Sequence, residues 1–395
     1  MKNKSKKIVM LQDFFGLDYT YQENLLTKNY TKYGHNVVVI SSTFENVFDY
    51  AHNKYDSSKK QKTEEYFGAK IIRLPYSFNF LNKLRKHAGV YEILLKEKPD
   101  LIYVHDIHFN LKEAVKYKKQ FPNCKIILDY HADYTNSAHN WVSLNILHKV
   151  IRKSFFNKYK KYISKIFPVV PGGADFLHEV YGVSHKEMEL LPLGCDYSKS
   201  MEIMQNIDNI KQRQNLGIKE NDIIIITGGK INKLKNTHVI VDAIKKNNRE
   251  DVHLIVFGKE DQGSEEYFDN IKKSAENYKN IHFIGWVDNT KIYELLAISD
   301  LAVYPSSQSV LWQQSIGMHL PLIVGDFGGQ DMSYLNQNNN IIKVDKENLN
   351  ADYFATLLNQ LIENPSEIEQ MKKGAEKTAK EYLDYRIIAE KTLEN

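Results

Sequence analysis

Residues 222–230 read Asp-Ile-Ile-Ile-Ile-Thr-Gly-Gly-Lys, four isoleucines running straight into two glycines and a lysine. An unbroken β-branched run without polar alternation is the pattern of a strand buried on both faces of a parallel sheet. Downstream the pattern returns in VHLIVFGK (252–259), NIHFIGW (280–286), LAVYPSS (301–307), LPLIVGD (320–326) and NIIKVDK (340–346). Upstream it occurs in KIVMLQ (7–12), NVVVISS (36–42), KIIRLP (70–75), DLIYVHD (100–106), KIILDYH (125–131) and KIFPVV (165–170). Helical patterns lie between these runs, such as NTHVIVDAIKKNN (236–248) and YQENLLTKNYTKYG (21–34), whose end Lys32 and Gly34 mark. Six strands, a polar break over 195–217 and six further strands predict an α/β chain of two doubly wound parallel-sheet domains.

Composition agrees. A chain of 395 residues has room for two or three domains, and its apolar share of 42% with a charged share of 26% excludes wholesale disorder. No apolar run approaches the ~20 residues of a membrane span. The basic N-terminus has an apolar run, Ile8 to Leu11, broken by Gln12 and Asp13, so no signal peptide is expected. Cys124 and Cys195 form no C-x-x-C pair, and a reducing cytoplasm is the expected compartment. The net charge of +4 hides an asymmetry. Residues 1–200 carry 31 Lys/Arg against 20 Asp/Glu, and residues 201–395 carry 22 against 29. A basic half joined to an acidic half suggests domains with different partners, one of them anionic.

Ligands of open parallel sheets bind at the carboxyl ends of the strands, so residues just after each run come first. Gly228-Gly229-Lys230 ends the 222–230 run, and Lys235-Asn236 opens the next helix. Glycines admit close backbone approach, and two lysines beside a helix N-terminus suit a phosphate; a surface turn with solvated lysines is the competing reading. The spacing is not that of a P-loop. Pro305-Ser306-Ser307-Gln308 and Trp312-Gln313-Gln314-Ser315 follow the 301–307 run. The amides of Gln308 and Gln314 can each donate to and accept from sugar hydroxyls, or simply be solvated. No GxGxxG follows any expected strand, which argues against a nicotinamide dehydrogenase. There is no Asp-x-Asp pair and no His/Cys cluster with metal spacing, so neither metal nor cofactor is expected.

Read in order, GGKINKLKNTHVIVDAI, LIVFGK, FIGWVDNTKIYELLAISDLAVYPSS and SIGMHLPLIV resemble the donor-binding half of retaining glycosyltransferases of family 4, of the group 1 type. Tyr33-Gly34-His35-Asn36-Val37 resembles that family's "GH-x-V" start of its second strand, and Leu191-Pro192-Leu193-Gly194-Cys195-Asp196 its "Pro-x-Gly-x-Asp" signature. The resemblance implies the GT-B fold, two Rossmann-like domains facing each other across a cleft. It assigns 1–198 to the acceptor, 199–365 to the donor, and 366–395 to helices packing back on the first domain. Departures accompany it. Lys230 stands for the family arginine, keeping the charge without the bidentate fork. Lys235 matches the family lysine, and Asn236 replaces a glycine. Gln314 falls on the glutamate that would hold the donor ribose. The other glutamate has no clean counterpart, and Gln308 takes its place.

The implied function is transfer of a sugar from a UDP- or GDP-linked donor to a glycan or lipid-linked acceptor, with retention of configuration. Cell-envelope or capsular polysaccharide assembly is the implied setting, in the cytoplasm or at the inner membrane face. Gly229, Lys230, Lys235, Gly258, Gln308 and Gln314 form the donor set. Gly16, Tyr21, Gln22, His105 and Asp106 form the acceptor set, in a first loop shaped by its aromatics, where Asp18 or Thr20 could cap the helix. His131 matches a strand-end histidine beside the reacting sugar, where it would bind a hydroxyl or assist the acceptor proton. Lys230 and Lys235 would stabilise the departing diphosphate. The basic-aromatic stretches 81–87 and 147–167 are expected to meet an anionic membrane, or to cover the core with lysine stems. Nucleic acid is not an expected partner. The alternatives are a GT-B nucleotide-sugar epimerase and a nucleotide-sugar-binding protein with weak or absent transfer.

Overall fold

The computed structural model describes residues 5–53, 60–306, 308–327 and 331–394. The chain forms two compact units, Met1–Leu193 with Tyr385–Asn395, and Gly194–Asp384. The first contains β1 (Lys7–Leu11), β2 (Asn36–Ser42), β3 (Lys62–Tyr66), β4 (Ala69–Leu74), the hairpin β5 (Tyr76–Phe80) and β6 (Leu84–His87), β7 (Leu101–His105), β8 (Lys125–Tyr130) and β9 (Lys165–Pro168). Its main sheet runs β3-β4-β2-β1-β7-β8-β9, parallel except for β3, which lies antiparallel on β4. The β-branched runs are its centre: Val38, Val39 and Ile40 of β2 and Ile126, Ile127 and Leu128 of β8 are fully buried. On one face the helices Gln22–Lys32 and Tyr385–Leu393 bring Leu26 and Tyr30 onto Ile388 and Ala389. Phe156, Phe176 and Val180 pack on the other.

The second unit holds β10 (Ile223–Ile231), β11 (Val252–Glu260), β12 (Ile281–Gly285), β13 (Leu301–Tyr304), β14 (Leu322–Asp326) and β15 (Ile341–Asp345). They form one parallel sheet in the order β12-β11-β10-β13-β14-β15. In both units the central strand is the first in sequence, flanked on its two sides by later strands. The crossovers on its two sides therefore diverge, and a crevice opens at the carboxyl ends of the middle strands.

Four features differ from the sequence-based expectation. β3, Lys-Thr-Glu-Glu-Tyr, is too polar to read as a buried strand because it is a largely exposed sheet edge. The hairpin β5–β6 was likewise not expected; it is closed by Leu81 and Asn82, both with positive φ (51° and 55°), the geometry of a tight type I′ turn. The unit boundary falls after Leu193 rather than 198, and the 195–217 break holds two helices, Tyr197–Asn206 and Asn209–Asn215. Of the residues expected to return to the first domain, only those from Tyr385 do so. The helix Pro365–Thr378 turns the stripe Ile368, Met371 and Ala375 into the second unit.

The basic-aromatic stretches also divide. Arg85 is turned in to Asp13 and His87 is buried, while Ile166 and Phe167 belong to the core of β9. Exposed apolar side chains remain within the stretches at Leu81 (76% exposed) and Val150 (57%), and just before the second at Trp141 (68%) and Val142 (62%). Among the described residues no helix is long and apolar enough to cross a membrane.

The closest backbone approach in the second unit yields a first prediction. A Cβ on Gly258 (φ +121°) would lie 1.9 Å from the carbonyl oxygen of Gly229. Gly258→Ala is expected to cost about 2–3 kcal/mol in urea unfolding. Gly172→Ala, which meets nothing closer than 3.7 Å, should be near neutral. Equal stabilities would mean the β10–β11 contact is not constrained in this way.

Candidate functional site

In the second unit β10 and β11 stay in register to their ends, pairing Gly228-Gly229-Lys230 with Phe257-Gly258-Lys259. At Gly228, Gly229 and Gly258 the floor they form is bare backbone, because side chains are excluded there. A Cβ on Gly228 would enter the Phe257 ring, and one on Gly258 would enter Gly229. Above it lies a cavity of about 550 Å3 lined by Gly229, Lys230, Lys235, Gly258 and Gln308. Lys235 ends a short turn, Lys233–Lys235, whose first backbone bonds are capped by the Asn232 side chain. Asn236, at positive φ (53°), reverses the chain into the helix Thr237–Asn247 and donates to the Pro305 carbonyl at 3.1 Å. Burial lowers the Lys235 pKa and neighbouring Lys230 adds to this, while Asp261 opposes it. Lys230 is exposed and lies 3.6 Å from Asp261.

Gln314 does not line this cavity. The helix Val310–Gly317 turns it inward, where its amide donates to Asn289 at 3.2 Å. Gln308 lines the cavity and donates to the Tyr334 hydroxyl. Ser307 lies outside the described residues. Several lining residues escaped the sequence reading, among them Lys259, Asp261 and Trp286. Asp261 orients both Lys230 and Asn232, the latter at 2.7 Å. Trp286, 72% exposed, offers an aromatic face at the end of β12, signalled by its place directly after Gly285.

In the first unit a cavity of about 300 Å3 follows β1 and β7 and is lined by Gly16, Tyr21, His105 and Asp106, together with Asp13 and Glu23. Its loop is held by aromatics, as expected. Tyr19 stacks on Tyr21 with ring centroids 5.0 Å apart, and a Cβ on Gly16 would strike the Tyr19 ring. Gln22 is buried, only 4% exposed, and does not line the cavity. Neither Asp18 nor Thr20 caps the following helix; its N-cap position is Tyr21, with no side-chain bond.

Two carboxylates organise this crevice, Asp129 buried and Asp13 half-buried, and neither was expected. Asp129 accepts from Tyr103 (3.0 Å), from His105 Nδ1 (3.1 Å) and from His131 Nε2 (3.0 Å), while its other oxygen takes the Asp106 N–H. Asp106, at positive φ (58°), accepts the His131 N–H at 2.8 Å. His131 and His105 are thus fixed side by side, ring centroids 4.4 Å apart. Burial works against charge on His105, but Asp129 outweighs it and pushes this imidazole up to about 10. Burial also opposes charge on Asp129, yet His105 and His131 hold its carboxyl well below the usual range. Glu23 moves the other way, since burial raises its pKa despite these two rings. The second carboxylate, Asp13, receives both Nε (2.8 Å) and Nη2 (2.5 Å) of Arg85 and faces His108 at 3.4 Å. Burial and the neighbouring His108 push His87 down to about 3.

His105, Asp129 and His131, and likewise Asp13, His87 and His108, converge closely enough to offer ligand atoms to one metal ion. Fold proximity assembles these sets, which no sequence spacing displays. Each carboxylate is already matched by a cation, the His105 imidazolium or the Arg85 guanidinium, against which a divalent ion would have to compete.

The second unit matches the family model described as "Glycosyl transferases group 1" over residues 208–378. The first matches "Glycosyltransferase Family 4" over residues 25–199. No curated protein matches the sequence. Among solved structures, a glycosyltransferase from Rickettsia africae is 16% identical, with 99% of this chain and 97% of that one covered and a TM-score of 0.67. HepE of Anabaena, in complex with UDP, is 16% identical over 98% of each chain, with a TM-score of 0.66. A putative UDP-N-acetylglucosamine 2-epimerase from Listeria monocytogenes is 13% identical, covering 99% and 95%, with a TM-score of 0.61. At such identities the likeness to solved structures establishes a shared fold.

The Asp129 cluster predicts a pH dependence. His105 is protonated more readily when folded than in the unfolded chain, so its contribution is complete below about 6.5 and lost as pH rises toward 10. Stability should therefore fall by up to about 1.4 kcal/mol per pH unit across that window. Asp129→Asn should flatten the dependence and return the His105 proton resonance toward pH 6.5. An unchanged histidine titration in that variant would remove Asp129 as the cause.

Proposed function

We propose, for a chain that carries both domains of a GT-B glycosyltransferase, that it transfers a sugar from a UDP- or GDP-linked donor, with retention of configuration. The acceptor is a glycan or a lipid-linked saccharide, and the setting is cell-envelope or capsular polysaccharide assembly at the inner membrane face. The observation that carries the reading is the cavity over β10 and β11, where a floor bared by Gly228, Gly229 and Gly258 is bordered by Lys230, Lys235 and Lys259.

The chemistry follows from where charge develops. As the glycosidic bond breaks, its electron pair passes to the diphosphate oxygen, and negative charge grows there. Lys230, Lys235 and the N-terminus of the helix Thr237–Asn247 offer positive charge that strengthens with that growth, so they favour the transition state over the bound donor. Partial desolvation of Lys235 makes its charge more effective than that of a solvated amine. Trp286 presents a flat apolar surface for the nucleoside. In the first unit His105, which lines the cavity, supplies a hydrogen bond for acceptor hydroxyls, and His131 packed beside it is assigned the attacking oxygen's proton. The UDP bound by Anabaena HepE supports a uridine-linked donor here.

A weakly active nucleotide-sugar binder has one observation in its favour. Amides stand where the resemblance places carboxylates, and Gln314 is engaged with Asn289.

Thermal stabilisation by a panel of nucleotide sugars tests the reading, and stabilisation by none of them would defeat it. With a stabilising donor in hand, Lys235→Ala should lower kcat about 100-fold or more with little change in Tm. Transfer should survive EDTA. Binding without turnover in the unaltered protein would support the second reading.

A further inference from the structure

The first unit has a second cavity, about 430 Å3, between the hairpin β5–β6 and the helix Ser143–Arg152. Phe80 and Leu81 line it from the hairpin and Val142 and Ile146 from the helical side, with Asn136, His139 and Asn140 as polar lining. The four apolar residues are all exposed, Leu81 at 76% and Val142 at 62%, so a contiguous apolar surface is left in water. Leu81 sits at positive φ (51°), a conformation that a branched side chain rarely adopts, and so holds a leucine at the hairpin tip.

This groove is not isolated. Lys83 and Arg152 line it and also line the polar cavity that contains His105 and Asp106. Arg152 Nη2 donates to the Lys83 carbonyl at 3.2 Å, which ties hairpin to helix along the seam between the two cavities. Three chemistries therefore follow one another. First come hydrogen-bonding groups suited to sugar hydroxyls, then two cations, then an apolar trough.

We infer that the acceptor is a lipid-linked saccharide phosphate or diphosphate, bound with its sugar at His105 and Asp106, its phosphate between Lys83 and Arg152, and its chain in the trough. The inference rests on the glycosyltransferase reading and chooses between the two acceptor classes left open there. A free glycan contains neither the anion nor the hydrocarbon, and would leave both the seam and the trough unmatched. A lipid-linked acceptor has its sugar, anion and chain in the same order as the surface. Charge at the seam and apolarity beyond it together specify the amphiphile.

Farnesyl diphosphate, inorganic diphosphate and farnesol serve as probes in calorimetric titration of the whole chain. Farnesyl diphosphate is expected to bind at least 10-fold more tightly than either fragment. Ile146→Asn and Lys83→Gln, both surface changes, should each weaken it about 10-fold, and Lys235→Ala should leave it unchanged. The proposal is overturned by equal binding of inorganic diphosphate, which would signify a simple anion site. It is overturned equally if wild type does not bind, or if both groove variants keep wild-type affinity. Should Ile146→Asn reduce binding to phosphatidylglycerol vesicles while farnesyl diphosphate binds as before, the trough meets a bilayer rather than an acceptor chain, and the proposal fails. Stabilisation by nucleotide sugars, measured on the same variants, separates the two levels. If it is present while farnesyl diphosphate is refused, only this inference falls; if it is absent, the glycosyltransferase reading falls.

Discussion

Parallel pairing is the constraint on which both units depend. Strands that share a direction cannot be joined by tight turns, so each must be followed by a crossover that leaves from the carboxyl edge. All the loops free of sheet geometry then collect along one edge, and at the central strand they part to either side. Residues distant in sequence are brought to one place without any local motif. Asp13 follows β1, His105 ends β7 and His131 follows β8, three strands adjacent in the sheet. Lys230, Gly258, Trp286 and Gln308 come from the ends of four strands in the second unit in the same way.

The two crevices use that edge differently. In the second, side chains are excluded from the floor, and cations stand at the rim in a partly solvated setting where an incoming anion can displace water. The first is built around two carboxylates withdrawn from solvent, Asp129 fully and Asp13 in part. An unmatched buried carboxylate would be severely penalised, so each is surrounded by donors: Arg85 for Asp13, and His105, His131 and Tyr103 for Asp129. Such a cluster contributes less to net stability than to geometry, because the desolvation cost offsets much of the attraction. What it secures is ring orientation. A histidine whose one nitrogen is held by a carboxylate has its tautomer and aim set for whatever meets the other.

Legibility from sequence followed from the same physics. Strands buried on both faces are forced to be β-branched and continuous, so Ile224–Ile226 or Val37–Ile40 announce themselves. β3 and the hairpin were missed because an edge or a two-stranded ribbon can be polar or aromatic without cost. The lysines and glycines after β10 were legible through the rule that ligands meet strand ends. Counting along a chain fixes position but not helical phase, and the phase of Gln314 turns its amide to Asn289. Asp129 lay inside a quoted motif yet passed unremarked. A single inward carboxylate is uninformative until its partners, 2 and 24 residues away, are seen around it.

Bulk charge proved a poor guide for a related reason. Part of the first half's excess of cations is matched within its own unit: Lys7 and Lys70 both reach Glu97, Lys86 reaches Glu113, and Arg85 reaches Asp13. Such pairs set register and loop position, and their fields are largely cancelled beyond a Debye length. The lysines that line the cavity over β10 and β11 belong instead to the acidic half, where Asp261 steadies one of them. A net charge averages over paired and unpaired groups alike. The relevant quantity is which cations border a space that an anion can enter. By that measure Lys230, Lys235 and Lys259 in one unit, and Lys83 and Arg152 in the other, outweigh the whole arithmetic of the two halves.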